Sequence, residues 1–496
     1  MTRMRPLEVT QRTSAELTRF LGIDDERENF SFSGVTSSTQ YIQAGDLFVA
    51  LPGARRHGAE FAAQAMKAGA SAILTDVAGA ELVSKEIPVV IIENPRFILG
   101  DLSAWFYNSP FRSLHAVGIT GTNGKTTTAS LLHQLWQLSN RESGFIGTVG
   151  ISIGREDFPA HFTTPESPEL QAVVASMVER NAHHLVIEVS SHSIAAKRIS
   201  STFFANVAFT NLTQDHLDFH GDMETYFKVK AKIFTPEYAE QGFINIDSSY
   251  GKKLMEIAQI PFQTISRDST FATWHYASHQ ISSGGYDVSI RGVGGILIEG
   301  HLPLVGEHNL DNALMAIALA VESGIDPLAI SMDMHKLKGP AGRLEKVDLG
   351  QKFLALVDYA HTPDAVERVL AAVREITPGR VIAVLGCGGD RDSSKRPLMG
   401  KALVLGCDFA ILTSDNPRSE SPGKILEQMS SEIEHGENVM VEEDRRGAIA
   451  VAIAEATPGD TVIILGKGHE VGQEIDGIKY SFDDRIELAK AIEQLS

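Results

Sequence analysis

The stretch that decides the fold is His115-Ala-Val-Gly-Ile119 followed by Thr120-Gly-Thr-Asn-Gly-Lys-Thr-Thr127. The first part predicts a buried strand, and the polar part with its two glycines predicts a turn into a helix. In such a turn, glycines let backbone N–H groups reach a phosphate, while Lys125 offers a positive charge and Thr126 a hydroxyl for Mg²⁺. The strict motif has a glycine at position 119, one place later than this chain does. An ordinary strand-to-helix turn is the alternative, but the order of the parts favours a phosphate-binding loop.

The sequence on both sides of this stretch predicts an α/β protein. Short β-branched runs alternate with Ala- and Leu-rich helical stretches, a pattern typical of parallel sheets covered by helices. The chain has 496 residues, which at roughly 150 residues per domain indicates about three domains. We place the boundaries near Pro110 and at the Gly-Pro-Ala-Gly turn of residues 339–342, giving domains at 1–110, 111–338 and 339–496.

The charge balance limits the partners of this chain. It has 44 lysines and arginines against 63 aspartates and glutamates, a net charge of −19, which excludes a broad basic surface for nucleic acid or an anionic membrane. Two cysteines support neither a disulfide scaffold nor a zinc cluster. We see neither a signal peptide nor an apolar run of ~18 residues, and we expect a cytoplasmic protein that binds no nucleic acid and no membrane. We also expect a monomer.

Two further strands of the middle domain are followed by acidic and histidine side chains. In open α/β sheets, ligands bind beyond the carboxyl ends of the strands. Glu188 follows the apolar run Leu185-Val-Ile187, where P-loop ATPases carry an acidic residue for Mg²⁺. Asp215 and His216 follow the run Val207-Ala-Phe209. Glu188 is therefore a candidate metal ligand, with a solvated strand-end carboxylate as the alternative, and His216 is either a metal or phosphate ligand or part of a polar loop.

Three alternate lysines occur at Lys228, Lys230 and Lys232. If this segment is helical, Lys230 shares an inward face with Tyr226 and Phe234, whereas the other two lysines project outward. A buried lysine needs a partner or a modification. A structural ion pair is the simpler of these two readings.

The third domain repeats the pattern of polar loops after apolar strands. Arginines follow the first two of these strands, at Arg391 and Arg418, and a guanidinium suits two-pronged recognition of a carboxylate. Glu470 follows the last strand and can receive an ammonium group. With Asp415 these residues describe a pocket for a zwitterion, and separate surface ion pairs are the alternative. The strands are Val381–Leu385, Phe409–Leu412 and Thr461–Leu465.

Five motifs occur in a fixed order across the chain. They are the phosphate-loop segment Gly121–Thr127, then Asp358-Tyr-Ala-His-Thr-Pro-Asp364, Gly388-Gly-Asp-Arg-Asp392, Asp415-Asn-Pro-Arg418 and Gly466-Lys-Gly-His-Glu470. On these motifs the chain resembles the Mur ligase family over essentially its whole length. The resemblance implies a three-domain α/β architecture: an N-terminal UDP-binding domain, a central P-loop ATPase domain and a C-terminal Rossmann-like domain.

The resemblance also implies a reaction. It points to an ATP-dependent ligase that adds meso-2,6-diaminopimelate to UDP-N-acetylmuramoyl-L-alanyl-D-glutamate through an acyl phosphate, releasing ADP and phosphate, in cytoplasmic peptidoglycan precursor synthesis. Asp415-Asn-Pro-Arg418 looks like the version found in diaminopimelate-adding members, because the second carboxylate of diaminopimelate would pair with arginines that lysine leaves unmatched. The alternatives are an L-lysine-adding enzyme, a folylpolyglutamate synthetase relative, and a P-loop switch that only signals.

The resemblance assigns roles residue by residue. The residues around ATP would be Gly121, Thr122, Asn123, Gly124, Lys125, Thr126, Thr127, Asn309, Asn312, Arg343 and Asp358. The catalytic residues would be Lys125, Glu188, His216 and Lys230, and Mg²⁺ would be held by Thr126, Glu188, His216 and Lys230, the last as N6-carboxylysine. The sugar nucleotide would contact Ser37, Ala54, Arg55, Arg56, Thr163, Thr164, Ser190 and Arg198. The amino acid would contact Arg391, Asp415, Asn416, Pro417, Arg418, Gly466 and Glu470. Phe162 and Ala196 depart from the family pattern and are assigned no contact.

Overall fold

A computed structural model describes residues 4–8, 10–23, 29–53, 56–154, 156–160, 162–282, 285–433 and 436–495. Three parallel-stranded sheets follow one another along the chain, and each is built from strands of one predicted domain. Ala54 and Arg55, two residues predicted to contact the sugar nucleotide, lie outside the described residues. None of the helices in the described segments has the length and apolar character needed to cross a bilayer.

The first sheet has four parallel strands in the order β3-β4-β5-β6, and β1 and β2 form a separate antiparallel pair. The strands are β1 (Arg12–Thr13), β2 (Ser31–Phe32), β3 (Gly34–Thr36), β4 (Asp46–Val49), β5 (Ala72–Thr75) and β6 (Val89–Ile91). The helices are α1 (Ser14–Leu21), α2 (Ala62–Lys67), α3 (Val77–Ala80) and α4 (Pro95–Phe106), with 3-10 turns at Gly58–Phe61 and Pro110–Ser113.

The middle sheet is the largest, with the order β10-β9-β8-β11-β7-β12-β13-β14-β15-β16-β17. Its centre, from β8 to β15, is parallel, and β9, β10, β16 and β17 extend it by antiparallel pairing. The strands are β7 (His115–Thr120), β8 (Ser143–Gly147), β9 (Gly150–Ile153), β10 (Glu156–Phe158), β11 (His184–Glu188), β12 (Phe204–Phe209), β13 (Ala239–Asn245), β14 (Phe262–Ser266), β15 (Trp274–Ser282), β16 (Gly285–Arg291) and β17 (Leu297–Leu302). The helices are α5 (Lys125–Leu138), α6 (Ser167–Glu179), α7 (Ser191–Ala195), α8 (Leu217–His220), α9 (Met223–Ala231), α10 (Ser249–Ile257), α11 (Glu307–Glu322) and α12 (Pro327–Asp333), with 3-10 turns at Val293–Gly295 and Met334–Lys336.

The third sheet has the order β18-β19-β23-β20-β21-β22, parallel except for β18. The strands are β18 (Glu345–Lys346), β19 (Leu354–Asp358), β20 (Val381–Cys387), β21 (Phe409–Ser414), β22 (Val439–Val441) and β23 (Thr461–Leu465), and β24 (Gln473–Ile475) and β25 (Ile478–Tyr480) form a hairpin. The helices are α13 (Pro363–Ile376), α14 (Arg396–Gly406), α15 (Pro422–Ser430), α16 (Arg445–Glu455) and α17 (Asp484–Glu493), with a 3-10 turn at Ser393–Lys395.

Helices cover both faces of each sheet, which explains why the central strands are apolar throughout. Two apolar clusters lie on opposite faces of the middle sheet, and two more sandwich each of the other sheets. Every residue of β20 and β23 is buried. Strands that are buried on both faces read as continuous β-branched runs rather than as alternating ones. Polar side chains therefore gather beyond the strand ends, and the predicted α/β fold is confirmed.

Candidate active site

The turn between β7 and α5 has the conformation of a phosphate-binding loop. Gly121 and Gly124 have φ angles of 150° and 86°, a region that favours glycine. A Cβ atom would lie 1.9 Å from Thr210 Oγ1 at the first position and 2.2 Å from Asn312 Oδ1 at the second. Gly118 is a strand residue that packs against the Phe204 ring. Gly118, which precedes by one position the glycine of the strict motif, thus belongs to β7 and not to the loop.

Lys125 curls back over this loop. Its Nζ donates to the carbonyl oxygens of Gly121 and Thr122, at 3.1 and 2.9 Å. Burial lowers the pKa of Lys125, and the carboxylates of Glu188 and Asp215 oppose that change. The ammonium is held at the start of α5, where the free backbone N–H groups of the helix also favour an anion.

Glu188, at the end of β11, is the best candidate metal ligand in the middle domain. The side chain is fully buried, and its carboxylate accepts hydrogen bonds from Thr126 Oγ1 at 2.9 Å, Thr148 N at 2.9 Å and Thr148 Oγ1 at 3.2 Å. All three donors are neutral, so the described contacts leave a buried negative charge without an ion-pair partner. Hydroxyl and carboxylate oxygens suit Mg²⁺, and the pair Thr126–Glu188 fits that ion. No group of three or more His, Cys, Asp or Glu side chains in the described part of the chain is arranged to hold a metal.

Lys230 is buried beneath the loop, while Lys228 and Lys232 are exposed, as the helical spacing predicts. Its Nζ donates to the Gly121 carbonyl at 2.8 Å and lies 4.8 Å from the centre of the Tyr226 ring. This contact to a carbonyl replaces the structural ion pair that was the simpler alternative. Burial, together with the Lys125 charge, holds the pKa of Lys230 well below its ordinary value. Helix α9 ends before Phe234, which is buried just beyond it.

His216 lies in a group of rings next to Lys230. Its backbone has a φ of 53°, and its Nε2 is 3.3 Å from Asp215 Oδ2. The ring packs edge-on against His192 at 4.7 Å between centroids, and His220 stacks on Tyr226 at 4.8 Å. Burial lowers the pKa values of all three histidines. Neutral imidazoles can serve as ligands or hydrogen-bond acceptors, so His216 is available for either role.

Asn309 and Asn312 face the loop from the first turns of α11. Asn309 Nδ2 donates to Val305 O at 2.8 Å, and Asn312 Nδ2 donates to Asn309 Oδ1 at 3.2 Å. Thr128 Oγ1 donates to Asn312 Oδ1 at 3.4 Å. This short network ties α11 to α5 and leaves both amides on the wall of the loop cavity.

Arg343 and Asp358 approach the same cavity from the third domain. The Arg343 guanidinium lies 4.7 Å from the Tyr359 ring centre, and its Nε is buried with no hydrogen-bond partner among the described residues. Asp358 accepts from the backbone N–H groups of Leu344 and Ala360, at 2.8 and 2.7 Å. Burial raises the pKa of Asp358, although the Arg343 charge opposes this. An unsatisfied buried donor is costly, and a nucleotide phosphate or ribose oxygen would satisfy it.

The predicted sugar-nucleotide residues divide between two cavities of about 610 Å³ each. Thr163, Thr164, Ser190 and Arg198 line the cavity that also holds the phosphate loop. Ser37 lines the second, which lies between the first and middle domains.

Phe162 is shared by the two cavities, whereas Arg56 belongs to neither. Phe162 lines both of them, and the Arg198 guanidinium lies over its ring at 4.7 Å and forms an ion pair with Glu166 at 2.8 Å. Phe162 thus has a structural place in the site although it departs from the family pattern. Arg56 instead forms an ion pair with Glu60 at 2.8 Å and lines neither cavity.

The loops after β21 and β23 meet around Lys467, a residue with no predicted role. Lys467 is fully buried, and its Nζ donates to Asp415 Oδ1 at 3.3 Å, Asn416 Oδ1 at 3.1 Å and Glu470 Oε2 at 3.3 Å. Asn416 Nδ2 also donates to Glu470 Oε2 at 3.0 Å. Only the charged residue type inside a Gly-Lys-Gly segment could have indicated this role. Its ammonium offsets one of the two carboxylates.

The two arginines predicted to bind a carboxylate flank Gly388. A Cβ atom there would lie 3.0 Å from Arg418 Nη1 and 3.7 Å from Arg391 Cγ. Arg418 Nη1 donates to Gly389 O at 2.6 Å, and its Nε lies 3.7 Å from Glu474 Oε2. Pro417 and Gly466 supply backbone beside this group; Gly466 has a φ of 111°. The structure therefore brings the predicted amino-acid residues together.

Contacts between domains connect the two halves of the site. Asn123 Nδ2, in the phosphate loop, donates to Asp364 Oδ2 at 3.0 Å. His469, in the loop that carries Glu470, lies 3.2 Å from the Thr148 carbonyl through its Nε2. Tyr359 OH donates to Glu470 Oε1 at 3.4 Å and lines the loop cavity. The amino-acid loops are thus next to the phosphate-loop cavity, and Arg391 lines it directly.

Comparisons with known proteins agree along the whole chain. Three family models match: the Mur ligase family catalytic domain at residues 31–107, the Mur ligase middle domain at 119–320 and the Mur ligase glutamate ligase domain at 342–468. UDP-N-acetylmuramoyl-L-alanyl-D-glutamate--2,6-diaminopimelate ligase of Streptomyces coelicolor is 43% identical over 498 residues, covering 99% of this chain and 98% of the relative.

Solved structures show the same relationship. One of UDP-N-acetylmuramoyl-L-alanyl-D-glutamate--2,6-diaminopimelate ligase is 30% identical with a TM-score of 0.66 and covers 96% of this chain and 98% of that one. A MurF ligase from Thermotoga maritima in complex with ADP has a TM-score of 0.65 at 17% identity, covering 93% of this chain and 97% of that one, and shares the fold. With three matching domain models and a full-length relative above 40% identity, the chain belongs to the Mur ligase family.

Proposed function

We propose that this protein is an ATP-dependent ligase that joins meso-2,6-diaminopimelate to UDP-N-acetylmuramoyl-L-alanyl-D-glutamate. The observation that carries the proposal is the single cavity of about 610 Å³ around the phosphate loop. Residues predicted for all three substrates line it: Lys125 for ATP, Arg198 for the sugar nucleotide and Arg391 for the amino acid. The relatives that span the chain are named as the diaminopimelate ligase, and that name favours diaminopimelate over lysine.

The first chemical step places a carboxylate of the UDP substrate against the γ-phosphate of ATP. A carboxylate oxygen bonds to phosphorus as the bond to ADP breaks, giving an acyl phosphate. Loop N–H groups and Lys125 hold the phosphates, and Arg343 and Arg198 supply further positive charge at the cavity wall. Mg²⁺, held by the Thr126 hydroxyl and the Glu188 carboxylate, would neutralise charge on the phosphate oxygens. Positioned charge of this kind dominates phosphoryl transfer.

In the second step the amine of the amino acid attacks the acyl carbon. The tetrahedral intermediate collapses, the amine proton is released, and phosphate departs with the oxygen that came from the carboxylate. Glu470 and Asp415 receive the ammonium end of the amino acid, with Lys467 setting their separation. Arg391 and Arg418 receive carboxylate. A lysine substrate lacks the second carboxylate and leaves a guanidinium unmatched, which is the basis of the selectivity.

The domain limits 1–110, 111–338 and 339–496 belong to this proposal, with the first domain holding the uridine end near Ser37. The three family matches each fall inside one of these ranges. In a cell the reaction would be a cytoplasmic step of peptidoglycan precursor synthesis and would thereby serve cell shape and division.

The test is product formation by the purified protein. The protein is incubated with ATP, Mg²⁺, the UDP-muramoyl dipeptide and either meso-diaminopimelate or L-lysine. The masses of the products are then measured by mass spectrometry. We expect a product heavier by one diaminopimelate less one water, and at least about 100-fold less product with lysine at equal concentration. Product with lysine alone would overturn the amino-acid choice, and no product with any amino acid would overturn the ligase.

A further inference from the structure

The third domain contains an arginine–aspartate pair that is completely buried and has no place in the reaction described above. Arg445, the first residue of α16, and Asp484, the first residue of α17, each have 0% side-chain exposure. Arg445 donates from Nε to Asp484 Oδ1 and from Nη2 to Asp484 Oδ2, both at 2.7 Å. The pair is therefore a two-pronged ion pair without contact to solvent.

The remaining donors of Arg445 bind two backbone carbonyls. Nη1 donates to Ser414 O at 3.3 Å, and Nη2 donates to Leu465 O at 2.9 Å. Ser414 is the last residue of β21 and Leu465 the last of β23. The residues that come directly after them, Asp415 and Gly466, begin the two loops that meet at Lys467.

These two strands are not neighbours, because β20 lies between them. Ladder hydrogen bonds join each of them to β20 and not to each other, so their ends are about two strand spacings, or roughly 10 Å, apart. Arg445 reaches both strand ends with different nitrogens, Nη1 to Ser414 O and Nη2 to Leu465 O. The planar guanidinium fixes the directions of these donors, whereas a lysine ammonium presents its donors from a single point. Arg445 is thus a direct link between the two loop bases.

A buried ion pair adds little net stability, because desolvation offsets the attraction, and well-packed apolar residues often do as well. Stability alone gives no reason for a charged pair here. The geometry of the two loops provides a reason, because the contacts of Lys467 with Asp415 and Glu470 hold only while the loop bases keep their separation. Interactions at this site depend on placement to a fraction of an ångström.

We propose that Arg445 is a positioning residue for the amino-acid site, one that sets the distance between the loop of Asp415 and the loop of Glu470. The proposal rests on the function proposed above. It predicts that loss of the Arg445 guanidinium weakens the binding of the amino acid and leaves ATP binding intact, because the phosphate loop belongs to another domain.

The test compares Arg445→Lys with a control variant at the opposite edge of the same sheet, where another arginine pairs with an aspartate. There Arg380 pairs with Asp460 at 3.0 Å just before β20 and β23 begin. For Arg445→Lys we expect the KM for meso-diaminopimelate to rise at least tenfold and the KM for ATP to stay within about twofold. For Arg380→Lys we expect both KM values to stay within about twofold, with thermal unfolding recorded for both variants.

A double variant separates positioning from mere stability. Arg445→Met with Asp484→Leu replaces the pair by apolar side chains, and we expect it to fold and still show the raised KM for diaminopimelate. It carries the test if Arg445→Lys does not fold. An unchanged KM for diaminopimelate in a folded variant, or equal increases for ATP and the amino acid, would overturn the positioning role. An inactive wild-type protein would instead overturn the proposed function.

Discussion

Two lysine side chains, the half-buried Lys125 and the fully buried Lys230, donate to one carbonyl oxygen at the centre of the site. Lys125 and Lys230 both donate to Gly121 O, at 3.1 and 2.8 Å. Two ammonium groups that share one acceptor repel each other strongly where little water screens them. Burial and the Lys125 charge together hold the pKa of Lys230 low. A neutral amine adds CO₂ and releases one proton to give a carbamate. We propose that Lys230 carries this carbamate, the modification that the family resemblance implies, which would replace a repelled cation with an anion beside Lys125.

The Lys230→Ala variant tests this modification. Because the carbamate would help to orient Lys125 and the metal site, we expect activity to fall at least about 100-fold, and we expect added formate or acetate to restore part of it. Lys228→Ala, an exposed neighbour on the same helix, is the control and should keep wild-type activity. Full activity of Lys230→Ala, or a loss that no carboxylate repairs at any concentration, would contradict the modified lysine.

Replacement of Arg418 should affect the binding of the amino acid and of ATP to different extents. Truncation in Arg418→Ala removes a guanidinium that we assign to a carboxylate of the amino acid, so the KM for meso-diaminopimelate should rise on the order of 10- to 100-fold. The KM for ATP should change less than about threefold. Arg374→Ala, which removes an exposed ion pair with Asp408, is a matched control in steady-state kinetics. Equal increases for both substrates would make Arg418 a structural residue.

At the scale of elements, the strands were the easiest part to predict and the starts of helices the hardest. The predicted run Thr461–Leu465 matches β23 residue for residue, because a β-branched run that is buried on both faces has few other solutions. The Ala-rich segment after Gly58, by contrast, begins as a 3-10 turn and becomes α-helical only at Ala62. The side chain of His57 caps the start of this turn. The spacing of apolar residues does not indicate where such a cap lies.

The phosphate-loop turn allows a matched pair of glycine substitutions. Gly124→Ala introduces a Cβ 2.2 Å from Asn312 Oδ1 at a φ of 86°, whereas Gly324→Ala has nearly the same φ, 87°, and open space around it. The second should lose only about 1 kcal/mol of unfolding free energy from backbone strain. The first should in addition weaken ATP binding at least tenfold, measured by calorimetry. Equal ATP affinity in the two variants would show that the close approach to Asn312 is not needed.

At the scale of the molecule, what matters is how single cations from separate domains meet. The net charge of −19 excludes a broad basic surface, yet Lys125, Arg198, Arg343 and Arg391 line one cavity. Loops at the carboxyl edges of two sheets can face each other in this way, which is how a negatively charged protein can bind two polyanionic substrates and the carboxylates of an amino acid.

Some of this convergence could be predicted from the sequence, because each cation follows a strand end or lies in a recognisable motif. Thr148, Lys467 and Arg445 could not be predicted, since their partners are 40, 52 and 39 residues away and become neighbours only through the sheet order. Arg56 is a different case, because its ion-pair partner Glu60 is only four residues away in the sequence. Roles that depend on a distant partner need the fold.

The central claim is that this site activates a carboxylate by phosphorylation, and transfer of an oxygen isotope tests it most directly. The UDP-muramoyl dipeptide is prepared with ¹⁸O at both oxygens of its reacting carboxylate and turned over with ATP, Mg²⁺ and meso-diaminopimelate. Attack of that carboxylate on the γ-phosphorus predicts that every inorganic phosphate released carries one ¹⁸O. Phosphate free of the isotope, formed together with the amide product, would contradict the account.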